Sequence, residues 1–103
     1  MIEISHAARA LSALGHEARL DIFRFLVRAG EAGATVGQIA AETNLAASTL
    51  AHHLRSLVSA GLVTQERQGR EIISRVAFAQ MNALLSYLTE ECCTGIGTTQ
   101  DVA

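Results

Sequence analysis

The sequence has no proline and no lysine, and its only two cysteines are neighbours, Cys92 and Cys93. Without proline there is no proline-rich linker, and no repeat, low-complexity tract or composition shift divides the chain. No apolar run approaches the roughly 18 residues of a membrane helix. The opening MIEISHAARA lacks the basic start and long apolar stretch of a secretory leader. These absences point to a cytoplasmic protein with no membrane partner. In a reducing compartment the two thiols are not expected to form a structural disulfide. There is also no Ser/His/Asp set at recognisable spacing, no Gly-rich phosphate loop and no paired carboxylates in a cleft-like context, which argues against an enzyme. No permanent cofactor is expected.

What is present is a globular composition. Half of the 103 residues are apolar, enough for one domain, read as residues 1–97 with a mobile tail over 98–103. The net charge of −2 looks wrong for a nucleic-acid binder, but the average hides a pattern. Residues 1–46 sum to −1, residues 47–77 to +2 and residues 78–103 to −3. The positive stretch holds Arg55, Arg67, Arg70 and Arg75 beside His52 and His53. With no lysine, every permanent side-chain cation is an arginine, the side chain best suited to bidentate contacts with phosphate or guanine.

Hydrophobic spacing predicts a mainly α protein with a small β-hairpin. Ile4, Ala7, Ala8, Leu11 and Leu14 mark a helix over 3–14. Leu20, Ile22, Phe23, Leu26 and Val27 mark a second over 16–29, closed by Gly30 and Gly33. Thr35 and Gln38 form a capping-box pattern for a short helix over 35–43, with Val36, Ile39 and Ala40 inward. After a tight turn, Leu50, Leu54, Leu57 and Val58 give a helix over 47–60 that Gly61 stops. Two short helices joined by such a turn form a helix-turn-helix. The strand-like runs 62–67 and 71–76, with Gln68-Gly69-Arg70 as the tip, form a wing. A last helix is predicted over 78–93, with Met81, Leu84, Leu85, Leu88 and Cys92 on one stripe.

In a helix-turn-helix the N-terminal part of the second helix enters the major groove. Ser48, Thr49 and His52 fall off the buried stripe there, placed to reach base edges. Arg55, Arg67, Gln68 and Arg70 complete the DNA-binding set, with the arginines placed to meet phosphates, the contacts that supply most affinity. Ser48 and Thr49 also suit N-capping, and at least one is expected to do both. His53 is expected to pack near the wing, and Arg75, left out of the site, to be an ordinary surface or ion-pair residue. The narrow apolar stripes at 3–14 and 78–93 lie outside the helix-turn-helix and need cover, which pairing across a two-fold axis supplies.

The order of helices resembles the ArsR/SmtB family. So do the runs HEARLDI at 16–22, STLAHHLRSL at 48–57, AGLV at 60–63 and RQGR at 67–70. The likeness spans about residues 5–93. It implies a homodimeric winged-helix repressor, paired through its first and last helices. Such a repressor binds double-stranded operator DNA of two-fold symmetry and is released by an inducer. Two inducer sites of that family are missing: 35–40 has no cysteine, and 78–93 has no histidine or aspartate. The remaining candidate metal site, Cys92 and Cys93, is similar to that of an arsenic-responsive subgroup with a Cys-Cys pair at the end of the last helix. Soft thiolates suit arsenic(III) or antimony(III) as inducer. The subgroup's third cysteine is absent, so the third position would fall to hydroxide, an external thiol or an organic substituent. The alternative is a redox-sensing repressor that closes a Cys92–Cys93 vicinal disulfide.

Overall fold

The helices form where the apolar spacing and the glycine stops direct them. The structure is a computed structural model that describes residues 2–97; the tail expected over 98–103 lies outside the described residues. In chain order the elements are α1 (Ile4–Leu14), α2 (Glu17–Ala29), a single 3-10 turn (Gly30–Ala32), β1 (Ala34–Thr35), α3 (Val36–Thr43), α4 (Ala47–Ser59), β2 (Val63–Gln68), β3 (Glu71–Val76) and α5 (Phe78–Thr89). The capping box at α3 is formed in both directions: the Gln38 backbone N–H donates to Thr35 Oγ1 at 3.1 Å, and the Thr35 N–H donates to Gln38 Oε1 at 2.8 Å.

The core is the meeting of α2, α3 and α4 under the sheet. Ile22, Leu26, Ile39, Leu50 and Leu57 are fully buried there, each contributing roughly 1.5–3 kcal/mol relative to exposure. Gly61 ends α4 in a Schellman motif. Its N–H donates to the Val58 carbonyl at 2.9 Å, and the Leu62 N–H reaches back to the Leu57 carbonyl at 3.0 Å. The apolar pair Leu57 and Leu62, both buried, closes the motif. Gly61 sits at φ +79°, the left-handed region that glycine enters without cost.

The sheet has three antiparallel strands in the order β1-β3-β2, one more than the expected hairpin. The extra strand is two residues long, too short to show a period. It pairs Ala34 with Ser74 and Thr35 with Ile73. Gly33, at φ +71°, precedes it, and a Cβ there would lie 2.6 Å from the Ser74 carbonyl oxygen. Only glycine admits that close approach.

Two helices differ from expectation. On α1 the buried side is Ala7, Ala10 and Ala13, whereas Ile4 and Leu11 are 73% and 41% exposed. The small side chains let α1 lie close to α2 and α4, which turns the larger ones outward. The last helix stops at Thr89, four residues short of Cys93. Glu90 leaves helical geometry at ψ 146°, and Glu91 and Cys93 adopt φ +62° and +68°. The apolar stripe continues in the sequence past the point where the backbone leaves the helix.

Candidate nucleic-acid interface and thiol pair

The helix-turn-helix is α3, the turn 44–46 and α4. Asn44, at φ +62° with its N–H on the Ala40 carbonyl, makes the turn. The N-cap of α4 is Ala46, which has no side-chain cap. Ser48 and Thr49 therefore lie inside the first turn and do not cap it, contrary to expectation. Both are exposed, and neither hydroxyl has a hydrogen-bond partner among the described residues. An uncapped helix start keeps its backbone N–H donors available as well.

His52 and Arg55 continue that exposed side of α4, since residues three and four apart share a face. His53 does not pack near the wing. It is buried, 6% exposed, against the start of α2. The Arg19 Nε–H donates to His53 Nδ1 at 3.1 Å, and the His16 ring meets it edge-on at a centroid distance of 4.8 Å. Arginine offers only donors, so His53 Nδ1 must be unprotonated to accept. Burial, then the neighbouring charges of His16, Arg19 and His52, push the His53 pKa below its ordinary value.

The wing projects from the core. Along β2 only Val63 is buried, and 64–68 are exposed on both faces. Gln68 is the last residue of β2, paired with Glu71, and not part of the tip. The turn itself is Gly69-Arg70, with Gly69 at φ +65°, the two-residue pattern with glycine first that matches strand twist. Alternation along β2 puts Arg67 and Gln68 on opposite faces. Gln68 Nε2 donates to Glu66 Oε1 at 3.5 Å, whereas Arg67 and Arg70 have no carboxylate partner among the described residues. Arg75 is an ion-pair residue: its Nη1 meets Glu66 Oε1 at 2.7 Å and its Nε donates to the Glu31 carbonyl. That pairing, then Gln68, holds the Glu66 carboxyl below its usual range.

The structure also brings forward two residues that the sequence did not single out. A groove of about 450 Å³ between α1, the start of α2 and α4 is lined by Arg9 and Arg19 together with His52 and Arg55. Arg9 and Arg19 lie 33 and more residues before the basic segment of α4, so segment charge sums cannot show the convergence.

Cys92 and Cys93 are exposed in the turn after α5, with their sulfurs 2.8 Å apart. The Cys92 N–H donates to the Thr89 carbonyl at 3.0 Å, and Thr94 bonds to the Glu91 carbonyl through its N–H and hydroxyl. Hydrogen bonding to Cys93, then desolvation, pushes the Cys92 thiol up. Among the described residues no group of three or more His, Cys, Asp and Glu side chains is arranged to hold a metal ion.

A helix-turn-helix domain family model matches residues 14–66. The HTH-type transcriptional regulator YgaV of Escherichia coli (strain K12) is 30% identical over 87 residues, covering 84% of this chain and 86% of that protein. The solved ArsR-like transcriptional regulator from Rhodococcus sp. RHA1 is 30% identical with a TM-score of 0.72, over 82% of this chain and 76% of that one. The chain belongs to the ArsR family of transcriptional regulators. A further solved structure is the homodimeric winged helix-turn-helix DNA-binding domain Mb0332 from Mycobacterium bovis, a possible ArsR-family transcriptional regulator. It is 29% identical with a TM-score of 0.67, over 87% of this chain and 83% of that one. A possible transcriptional regulator for arsenical resistance is 30% identical with a TM-score of 0.63, over 80% and 85%. These relatives are described as transcriptional regulators, and Mb0332 as a DNA-binding domain. No helix among the described residues is long and apolar enough to cross a membrane.

Proposed function

We propose that this ArsR-family regulator is a homodimeric, cytoplasmic repressor that leaves its operator when trivalent arsenic or antimony binds Cys92 and Cys93. The observation that carries the reading is the meeting of the two sulfurs at 2.8 Å on an exposed turn directly after α5. Adjacent residues on an α-helix point about 100° apart, so continued helix would separate the thiols. The left-handed residues Glu91 and Cys93 do the opposite and gather them for a single soft centre. Similarity to the possible regulator for arsenical resistance supports the same ligand class.

Arsenite would lose two hydroxyls as water, each carrying one thiol proton, as two S–As bonds form; no electrons are exchanged. The third position keeps a hydroxyl, or the carbon of a methyl or aryl arsenical. Ser48, Thr49, His52, Arg55, Arg67, Gln68 and Arg70 form the proposed DNA face. Dimerisation would place two such faces on a two-fold operator. Support for the dimer comes from Ile4, Leu11, Leu85 and Leu88, all exposed large apolar residues on α1 and α5. An apolar hollow of about 640 Å³ between α2 and α5 extends that surface. Remodelling the turn after α5 would act at the edge of this interface and change the spacing of the two reading helices.

The test is fluorescence anisotropy on a promoter fragment titrated with arsenite, methylarsenite, antimonite, cadmium, zinc and peroxide. Trivalent arsenic is expected to release the wild type and to leave Cys92→Ser and Cys93→Ser bound. Equal release of the serine variants would overturn the reading. The same juxtaposed sulfurs also favour a vicinal disulfide. Loss of two mass units after mild peroxide, with loss of DNA binding, would replace the metalloid by an oxidant.

A further inference from the structure

We infer that the groove between α1, α2 and α4 seats a phosphate of the DNA backbone, so that Arg9 and Arg19 extend the DNA footprint beyond the reading helix and wing. The inference rests on the DNA-binding reading of α4 and adds to it a contact from α1 and α2.

Three arginines line this groove from three different helices: Arg9 on α1, Arg19 on α2 and Arg55 on α4, with His52 beside them; Arg19 gives its Nε–H to His53 Nδ1, which leaves its terminal N–H groups as donors. No acidic residue lines it. Among the described residues the ion pairs are Arg28 with Glu42 and Arg75 with Glu66, so none of the three arginines is neutralised by a carboxylate. Like charges gathered in one cleft raise its potential and favour an anion there. Ser12 and Ser59 add hydroxyl donors on the same lining. Guanidinium and hydroxyl together are the donor set that recognises phosphate oxygens.

Two features favour a polymer backbone over a small phosphorylated molecule. The groove is open to solvent, and an open groove suits a passing strand better than a ligand that needs enclosure. It is also continuous with the reading face: Ser48, His52, Arg55 and Ser59 follow one another at spacings of four, three and four along α4. From Ser48 to Arg55 is about 10 Å at the α-helical rise of about 1.5 Å per residue. A strand whose bases meet Ser48 therefore has a backbone phosphate within reach of the groove.

Arg9 is the diagnostic position, because it is exposed and belongs to no other proposed contact. Binding would be measured by anisotropy over a range of salt for the wild type, Arg9→Gln, Arg9→Lys and, on the wing, Arg67→Gln, each checked for folding by circular dichroism. Arg9→Gln is expected to weaken binding equally on operator and unrelated DNA and to lower the slope of log K against log salt by about 1 per subunit, about 2 for the dimer. Arg9→Lys is expected to restore the slope. An unchanged slope for Arg9→Gln, with a lowered slope for Arg67→Gln, would overturn the groove and leave DNA binding intact. Absence of binding by the wild type would overturn both. A parallel thermal-shift titration with pyrophosphate reads the other source: stabilisation of the wild type but not of Arg9→Gln, with no change in salt slope, would assign the groove to a soluble anion and overturn the backbone contact.

Discussion

His53 shows how neighbours on one helix come to differ. His52 is exposed on the proposed DNA face, and His53, the next residue, is buried as an acceptor for Arg19. The sequence shows two adjacent histidines in a basic stretch; only the rotation of α4 against α2 separates them. The His53 pKa is lowered, so the unfolded chain takes up a proton that the folded chain resists. The stabilising contribution is complete above the ordinary histidine value of about 6.5 and is lost as pH falls from there through the folded value. Thermal melts between pH 7.5 and 5.5 are expected to show a falling Tm for the wild type. In His53→Asn the side-chain oxygen keeps an acceptor for Arg19 without titrating, and the dependence should flatten. A slope equal to wild type would show that other groups set it. Ser48 and Thr49 make the same point about context: their residue types suggest capping, but the chain caps α4 at Ala46, two and three residues before them.

At the scale of elements, legibility followed local chemistry. The capping box of α3 was readable because all of its atoms lie within four residues. Thr35→Ala should lower stability by about 1 kcal/mol in urea denaturation, with unchanged m-value. The stop of α4 at Gly61 was readable for the same reason. The end of α5 was not. Its apolar spacing runs on to Cys92, and nothing in residue type marks Glu90 as the exit, since glutamate is a good helix former. Non-glycine residues with positive φ, as at Glu91 and Cys93, have no compositional signature. β1 was likewise hidden, because a two-residue strand exists only through its pairing with β3. The charge convergence of Arg9, Arg19 and Arg55 is a tertiary fact for the same reason.

At the scale of the whole molecule, α1 has two apolar sides with different tasks. Alanines face the chain's own core, and Ile4 and Leu11 face outward, as Leu85 and Leu88 do on α5. Removing such leucines from a solvent-facing surface leaves a monomer's core untouched but strips a dimer of its seam. The double variant Leu85→Asp, Leu88→Asp is therefore expected to sediment as a folded monomer at concentrations where the wild type is dimeric. Its operator affinity should fall steeply, because one subunit spans a single half-site. Wild-type and variant sedimentation coefficients that coincide would sink the proposed pairing. One of the points where α1 meets the end of α4 is a glycine. A Cβ placed on Gly61 would come within 3.2 Å of His6 Nε2 on α1, so the end of α4 and the first turn of α1 pack closely at that point. In the proposed dimer, a tilt of α1 would press on the far end of the helix proposed to read DNA. The joint at Gly61 would in that dimer couple assembly to sequence recognition.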